Sequence, residues 1–350
     1  MNAVMEESVV LAAPTAGNTR SNTVDIMKGI AISLMTFGHT SQGMLNRGWW
    51  GGPGYLFSYD FIYSFHMPVF FFTAGLFVIG SLTRRGVRKF TLEKVKTLLY
   101  PYLLWAVLYA VLEPFITRYK NSHHPFELKA FMVSLLVGEQ GWFLYTLFGC
   151  LMLAILMRRW PAWLRVMLGV GVGILTPQAM PVIGNVAREF CFMAVGMWVG
   201  TQIYSFSQWS KIKSALAFVA VTLFQIAMIV RFGEANRWSY VLLGLTGTAG
   251  VFLLAQLIEQ TKVGDLFAWL GQASLGIFLI AAFVQGAARE FLFRVLHIQE
   301  FWLQLLVPTV ASTVIPAFIW YQQDRLRLGW LFSWPVRKNS ASTIHAKSGV

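Results

Sequence analysis

Long apolar runs separated by short polar and basic segments make up most of this chain. Ten such runs approach the roughly 20 mainly apolar residues that one membrane-crossing helix needs. They lie at residues 26–45, 61–80, 97–117, 139–157, 164–181, 187–204, 213–231, 239–258, 272–290 and 302–321. The pattern predicts an all-α fold, a polytopic transmembrane bundle of about ten helices. The apolar stretch 128–138 is predicted to be an interfacial or re-entrant piece.

The composition supports a lipid-embedded protein. Of the 350 residues, 56% are hydrophobic and 12% are charged, whereas soluble domains carry about 25% charged residues. The net charge of +13 does not indicate nucleic-acid binding, because the basic residues cluster in short loops between apolar runs. We expect the partners to include the lipid bilayer and no nucleic acid.

The basic residues also predict an orientation. Of the 28 Lys and Arg, 18 fall on the side of the two termini and nine on the opposite side. This bias places both termini in the cytoplasm. We therefore predict a disordered cytoplasmic tail at 1–24, a transmembrane domain at 25–321 and a basic cytoplasmic tail at 322–350.

The first apolar run contains Lys28 and His39, eleven residues apart. At 100° per residue they lie on one helix face, separated by about 16 Å along the axis. Ionisable residues inside a membrane span are functional candidates, and histidine is suited to accept and return a proton. Alternatively, His39 only bonds a neighbouring helix, Lys28 snorkels to the interface and Asp25 pairs with Lys28.

The second run contains His66 followed by Pro68. Entering from the opposite side, it would place His66 at a depth similar to that of His39. Pro68 lacks an amide donor and predicts a kink near Ser64. A kink that exposes a carbonyl beside a histidine is a candidate binding corner. The alternative is tight packing of the following phenylalanines and Gly75 against another helix.

The loop after the second run supplies four cations within six residues, including Arg85 and Arg88. Guanidinium groups one helical turn apart suit a phosphate. Binding of anionic lipid, or a role in topology alone, are the alternatives.

Other polar positions give weaker signals. The pairs Arg188-Glu189 and Arg289-Glu290 are interpreted as charge pairs at outer helix ends, which either face a cavity there or simply neutralise each other. Gln256, Gln272 and Gln285 are interpreted as interhelical hydrogen-bond partners. The two cysteines, Cys150 and Cys191, lie in apolar runs, and no Cys/His cluster predicts a metal site.

Together these pieces resemble the acyltransferase-3 family of bacterial membrane proteins, which attach acyl groups to sugars and glycans. The resemblance covers residues 25–144 and rests on motifs in a fixed order. They are Asp25-x-x-Lys28-Gly29, Gly38-His39, Phe65-His66-Met67-Pro68-x-Phe70-Phe71-Phe72-x-Ala74-Gly75, Arg85-x-x-Arg88, Tyr100-Pro101-Tyr102 and Trp142-Phe143-Leu144. Lys28 stands where arginine is commoner in the family. Residues 145–350 carry no matching motif.

The resemblance implies an O-acyltransferase of the bacterial inner membrane. It implies acetyl-CoA or another acyl-CoA, such as succinyl-CoA, as co-substrate at the cytoplasmic face, met by Lys28, Arg85 and Arg88. His39 and His66 are the implied catalytic residues, with no metal. His39 would act as general base or carry the acyl group, and His66 would orient His39, bind the acceptor or stabilise the oxyanion. The implied acceptor is a lipid-linked sugar, exopolysaccharide or other exported glycan, served without a fused hydrolase-like domain.

Two other functions remain as alternatives. A secondary transporter or glycan flippase would also be polytopic, but such proteins often carry inverted repeats and paired broken helices. No repeat relates the first five runs to the last five, and the intramembrane charges cluster in the first two. A non-catalytic scaffold of a glycan-synthesis complex would leave both histidines unexplained.

Overall fold

The computed structural model describes residues 22–117, 132, 141–176, 181–203, 209–232 and 237–335. The predicted tail 1–24 and the stretch 128–138 therefore lie almost entirely outside the described residues. Within the described ranges the chain folds into thirteen α-helices. They are α1 Thr23–Leu45, α2 Gly52–Tyr63, α3 His66–Arg85, α4 Val87–Lys94, α5 Tyr100–Thr117, α6 Trp142–Leu156, α7 Ala162–Leu175, α8 Pro181–Val199, α9 Lys211–Phe232, α10 Arg237–Ile258, α11 Lys262–Gln272, α12 Ser274–Glu290 and α13 Phe301–Tyr321. A π-helix, Val95–Leu99, joins α4 to α5, and a second, Phe291–Val295, follows α12.

The all-helical, multi-pass prediction is confirmed for the described part of the chain. Seven helical segments there are long and apolar enough to cross a membrane. They are Gly52–Arg85, Val87–Leu112, Val182–Val199, Lys211–Phe232, Arg237–Ile258, Ser274–Val295 and Phe301–Tyr321. The remaining predicted runs coincide with α1 and with the shorter apolar helices α6 and α7. The count of about ten spans stays a prediction.

The second predicted run differs from the prediction in its extent and continuity. Its helical segment begins at Gly52, nine residues before the predicted start at 61, and is interrupted between Tyr63 and His66. The interruption is the structural consequence of Pro68, which lies in the first turn of α3. There a missing amide is tolerated, because the first amides of a helix have no intrahelical acceptor.

Helix α11 was not predicted, because its 11 residues are too few to cross a membrane and their apolar positions occupy only one face. It packs directly on the first half of α1. A Cβ at Gly29 would collide with the carbonyl oxygen of Phe267, and one at Gly271 with that of Asp25. Gly29 of the first motif is therefore a site of backbone-to-backbone contact between α1 and α11.

Helix α1 is the centre of the bundle. It contacts α2, α3 and the consecutive helices α10 to α13. The same close packing joins α3 to α8, where a Cβ at Gly75 would meet the Met193 carbonyl and one at Gly196 the Phe72 carbonyl. The packing alternative for Gly75 is thus confirmed.

The start of α1 and the end of α13 lie at one end of the bundle. Tyr321 donates a hydrogen bond to Gln272 (3.2 Å), and Gln272 lies 3.5 Å from Asp25. We call this the Asp25 end. The opposite end, reached after the roughly 33 Å length of α1, carries Trp50 and is called the Trp50 end. That the Asp25 end faces the cytoplasm stays a prediction.

Candidate functional site

The structure brings His39 and His66 together around one tyrosine. The ring of Tyr63, the last residue of α2, lies edge-on to both, with ring centroids 6.4 Å from His39 and 4.9 Å from His66. Tyr63 reaches α1 because position 38 is glycine: a Cβ there would lie 2.9 Å from Tyr63 Cε2. The Gly38-His39 motif thus combines a candidate catalytic histidine with a glycine that leaves room for the Tyr63 ring. Sequence reasoning missed Tyr63, although it stands three residues before His66.

The break between α2 and α3 determines how His66 is held. In an unbroken helix the Ile62 carbonyl would accept from the backbone amide of residue 66. Here the His66 imidazole takes that role, with Nδ1 2.8 Å from the Ile62 oxygen. A carbonyl can only accept, so Nδ1 must carry the proton, and Nε2 of neutral His66 is then an acceptor.

A buried polar network fixes the break from behind. Gln225 on α9 donates to Ser64 Oγ and to the Leu243 carbonyl, both at 3.1 Å, and accepts from Thr246 at 2.6 Å. Gln225 and Ser64 are at most 2% exposed. Buried polar groups need such partners, so this network ties the interruption to α9 and α10. The sequence offered no signal for Gln225 beyond a polar residue in an apolar run.

The far side of α1 is anchored by a second network. Gln285 on α12 donates to the Thr36 carbonyl at 3.0 Å and to Thr40 Oγ1 at 2.5 Å. Thr309 and Thr313 on α13 reach Thr40 and Thr36 at 2.9 and 2.7 Å. At 100° per residue, Thr36 and Thr40 lie about 60° and about 100° to one side of His39, so α12 and α13 contact α1 beside His39.

The three glutamines interpreted as interhelical partners are confirmed in that role. Gln285 joins α12 to α1, and Gln272 joins α11 to α1 through Asp25. Gln256 accepts a hydrogen bond from Ser214, which joins α10 to α9.

His39 is exposed although its sequence neighbours Gly38 and Thr40 are buried. Below it on the same face of α1, Lys28, Ile32 and Met35 line a cavity of 390 Å³. At 100° per residue the three side chains lie within about 60° of one another, and His39 continues their stripe one turn further. The part of the predicted Lys28–His39 stripe from Lys28 to Met35 therefore borders a cavity.

The remaining cavity walls are mostly apolar and come from α3, α6, α12 and the first π-helix. From α3 the wall includes Met67, next to His66, and Phe70, Ala74 and Phe77 one to three turns below. Phe143 of the Trp-Phe-Leu motif closes the opposite side, with its ring 5.5 Å from that of Phe70. The cavity thus runs along the helices that carry both histidines.

Lys28 and Asp25 mark the Asp25 end of this cavity. Their side chains form an ion pair of 2.7 Å, with Lys28 27% and Asp25 9% exposed. The predicted pairing of these two residues is confirmed. Because both also line the cavity, the pair is placed at its charged mouth and is not only a local contact on α1.

Arg85 and Arg88 are both exposed beside the α3–α4 turn, beyond the cavity. Gly86 makes the turn with φ +73°, a left-handed conformation that favours glycine. Arg85 forms an ion pair with Glu93. Arg88 has no acidic partner among the residues that the structure describes, and no contact between either arginine and Lys28 is recorded within those ranges.

The two charge pairs proposed at outer helix ends have different outcomes. Arg188 and Glu189 do pair, at 3.0 Å, and Tyr240 also donates to the buried Glu189 at 2.8 Å. Arg289 and Glu290, in contrast, form no ion pair with each other within the described ranges.

Glu290 instead pairs with Arg47 and with Arg294. Arg289 turns toward α1, where its guanidinium occupies the space a Cβ at Gly43 would take.

Comparison with known proteins places these features in a family. A family model described as an acyltransferase domain matches residues 21–321. Nodulation protein NolL of Mesorhizobium japonicum is 32% identical over 100 residues, which is 28% of this chain and 26% of that protein. The NolL of Sinorhizobium fredii is 33% identical over 94 residues, 26% of this chain and 25% of that protein.

The matched segments thus span only about a quarter of either relative. No solved structure matches the chain significantly. The family model, in contrast, extends from the start of α1 to the end of α13. The protein therefore belongs to this acyltransferase family, acyltransferase-3, which the motifs of its first two spans resemble.

Proposed function

We propose that this protein is a multi-pass O-acyltransferase of the bacterial inner membrane that moves an acyl group from acyl-CoA to a hydroxyl of a glycan. The observation that carries the proposal is the cavity that follows α1 from Lys28 to Met35. It begins at a cation at the Asp25 end and reaches Met35, one helical turn before the exposed His39 on the same helix face. Its 390 Å³ lies within the range of about 300–1,000 Å³ seen for small-molecule sites.

The donor enters from the Asp25 end, which the basic loops assign to the cytoplasm. Its phosphates bind Lys28, Arg85 and Arg88, of which Arg88 has no competing carboxylate in the described part of the chain. The pantetheine arm extends into the apolar cavity. Lys28 and His39 are about 16 Å apart along α1, roughly half of the ~30 Å hydrocarbon core. The thioester would then lie beside the histidines.

The chemistry requires a base for the acceptor hydroxyl. His39 accepts the hydroxyl proton while the oxygen attacks the thioester carbonyl, and the C–S bond breaks as the tetrahedral intermediate collapses. The protonated His39 gives that proton to the CoA thiolate as it leaves and returns to its neutral form. Free CoA and an O-acylated sugar are the products, so atoms and charges balance.

His66 is assigned a narrower role than the sequence alone allowed. With Nδ1 donating to Ile62, neutral His66 offers only an acceptor at Nε2. An oxyanion needs a donor, so stabilisation by neutral His66 is disfavoured. An acceptor at Nε2 supports either orientation of His39 or binding of the acceptor hydroxyl.

The test offers radiolabelled acetyl-CoA to membranes that contain the wild-type protein, His39→Ala or the matched control His297→Asn. His297 is exposed, has φ +55° and lies after α12, and asparagine tolerates that conformation. We expect free CoA and labelled glycan from the wild type and His297→Asn, but not from His39→Ala at equal protein amounts. If neither acetyl-CoA nor succinyl-CoA is consumed above an empty-vector control, the proposal is wrong.

A glycan transporter or flippase remains the second candidate, because the α2–α3 interruption resembles the broken helices of transporters. The same membranes decide between them. Movement of a labelled glycan precursor across the membrane without CoA release would favour the transporter.

A further inference from the structure

The Trp50 end of the bundle holds a second set of side chains around His39. At 100° per residue, Gly38 and Gln42 lie about 100° and about 60° to one side of His39, and Gly43 lies about 40° to the other. Helix α2 packs on the first side, through Tyr63 at Gly38 and a 3.0 Å hydrogen bond from Tyr55 to Gln42. Arg289 of α12 packs on the second, at Gly43. The exposed His39 lies on α1 between these two contacts. We call the region bounded by α2, His39 and Arg289 the vestibule.

One wall of the vestibule is a tyrosine ladder. Tyr55, Tyr59 and Tyr63 follow one another at intervals of four along α2 and therefore share a face. Their rings lie 5.9 Å apart at the first step and are stacked at 4.2 Å at the second. Trp50 extends the series outward, 5.8 Å from Tyr55. The ladder leads from the Trp50 end to the ring that touches both histidines.

The other wall carries a cation with unused hydrogen-bonding capacity. Arg289 Nε and Nη1 are buried and have no hydrogen-bond partner in the part of the chain that the structure describes. The neighbouring carboxylate, Glu290, is already shared by Arg47 and Arg294. In this cluster, the guanidinium groups of three arginines surround one carboxylate, that of Glu290. The arginines are Arg47, Arg289 and Arg294. Buried N–H groups without acceptors are uncommon and call for an explanation.

A purely structural role explains Arg289 poorly. An anchoring arginine at a helix end would extend toward water or bond backbone carbonyls, whereas this one turns inward against Gly43. Membrane proteins also concentrate Lys and Arg on the cytoplasmic side. If the Asp25 end is cytoplasmic, topology does not account for three arginines clustered at the opposite end.

We propose that the vestibule is the acceptor site and that Arg289 binds an oxyanion of the acceptor while the sugar ring packs against Tyr59 and Tyr63. The oxyanion is the carboxylate of an acidic sugar or the phosphate of a lipid-linked one. Either matches the two parallel N–H groups of a guanidinium. Although Nε and Nη1 are buried, the side chain of Arg289 as a whole is only half-buried, so the rest of it is open to an incoming group. This inference rests on the proposed function, since it names the acceptor class for the same His39.

The first experiment uses only the wild-type protein in membranes with saturating acetyl-CoA. Three probe acceptors are compared: a glucuronic-acid oligosaccharide, its carboxyl-reduced form, and that reduced oligosaccharide on polyprenyl pyrophosphate. Preference for the first over the second assigns the carboxylate, and activity with the third alone assigns the phosphate. Equal KM values for all three would overturn the proposal, while CoA release would still uphold the acyltransferase.

The second experiment compares Arg289→Gln and Arg289→Lys with the matched control Arg231→Gln. Arg231 is an exposed arginine near the end of α9, outside the vestibule. We expect a roughly tenfold or larger rise in acceptor KM for Arg289→Gln, because a charge-assisted hydrogen bond is lost, with partial recovery in Arg289→Lys. The rise should appear with the anionic acceptor and be absent with the neutral one.

If Arg289 were only structural, its substitution would raise the KM of the anionic and the neutral acceptor equally. That result would overturn the inference. If the wild-type protein released no CoA with any acceptor, the proposed function itself would be wrong. The two failures are therefore distinguishable.

Discussion

Gly38 of α1 lies against the ring of Tyr63, so that a Cβ at position 38 would come within 2.9 Å of Tyr63 Cε2. Through this contact the packing of α2 on α1 determines where the ring between His39 and His66 sits. A position with no side chain therefore controls the geometry of the candidate catalytic pair.

We predict that Gly38→Ala lowers acyl transfer with little change in protein amount. The added methyl group displaces Tyr63, and a shift of about 1 Å at a reacting group lowers turnover by up to roughly a hundredfold. The control is Gly80→Ala on α3, where a Cβ meets no atom within 4 Å. Initial rates at saturating acyl-CoA measure the effect; equal rates for the two variants would contradict a positioning role for Tyr63.

Filling the cavity should block the donor. Ala74 lines the 390 Å³ cavity beside Phe70 and Phe77, and Ala74→Phe places a ring in the path proposed for the pantetheine arm. We expect KM for acyl-CoA to rise at least about tenfold, or turnover to vanish, because overpacked side chains leave no room for a ligand.

The matched control is Ala217→Phe, in a separate 600 Å³ apolar cavity between α7, α8, α9 and α10. Acyl-CoA titrations with both variants provide the measurement. If Ala217→Phe lost more affinity for acyl-CoA than Ala74→Phe, the proposed donor cavity would be the wrong one.

The two arginines of the α3–α4 turn should contribute unequally. Arg88→Gln should raise KM for acyl-CoA about fivefold to tenfold, since an exposed cation contributes on the order of 1 kcal/mol. Glu93→Gln should lower KM, because it releases Arg85 from its ion pair.

Arg84→Gln is the control, since Arg84 bonds the Gly80 carbonyl of its own helix. Steady-state kinetics at fixed ionic strength separates the three variants. If Arg84→Gln raises KM as much as Arg88→Gln, the loop attracts the donor by net charge alone.

Breaking the network behind the α2–α3 interruption should destabilise the fold. Gln225→Leu removes the donor that bonds Ser64 Oγ and the Leu243 carbonyl. It also removes one of the acceptors of the Thr246 hydroxyl, while Ser64 keeps its bond to the Phe61 carbonyl. Each lost interhelical hydrogen bond costs about 0.6–2 kcal/mol in a membrane protein, so the thermal midpoint in detergent should fall by several degrees. For Gln256→Leu, which loses a 3.4 Å contact with Ser214, the thermal midpoint should fall less. An equal shift would show that the network contributes little.

Sequence reasoning was most successful where one helix carries the whole signal. The Lys28–His39 stripe needed only the helical period, and the structure places a cavity along it. The Asp25–Lys28 pair is a contact between residues one turn apart and was predicted for the same reason. Adjacency in sequence did not decide the outcome of the two Arg-Glu pairs: Arg188 and Glu189 bond each other, whereas Arg289 and Glu290 meet other residues.

The sequence by itself determined that the protein is helical, lies in a membrane, and carries its polar candidates in the first two spans. Those properties follow from composition and local periodicity, which need no knowledge of neighbouring helices.

Only the tertiary structure decided that Tyr63 stands between the histidines, that Gln225 holds the helix break, and that Arg289 turns toward Gly43. Each of these contacts joins residues from different helices, and no pattern within one helix encodes which face of another it will meet. Packing is fixed by side-chain volumes and glycine contacts across the whole bundle. The arrangement of the site therefore depends on the contacts of α1 with the helices around it, which the sequence alone does not give.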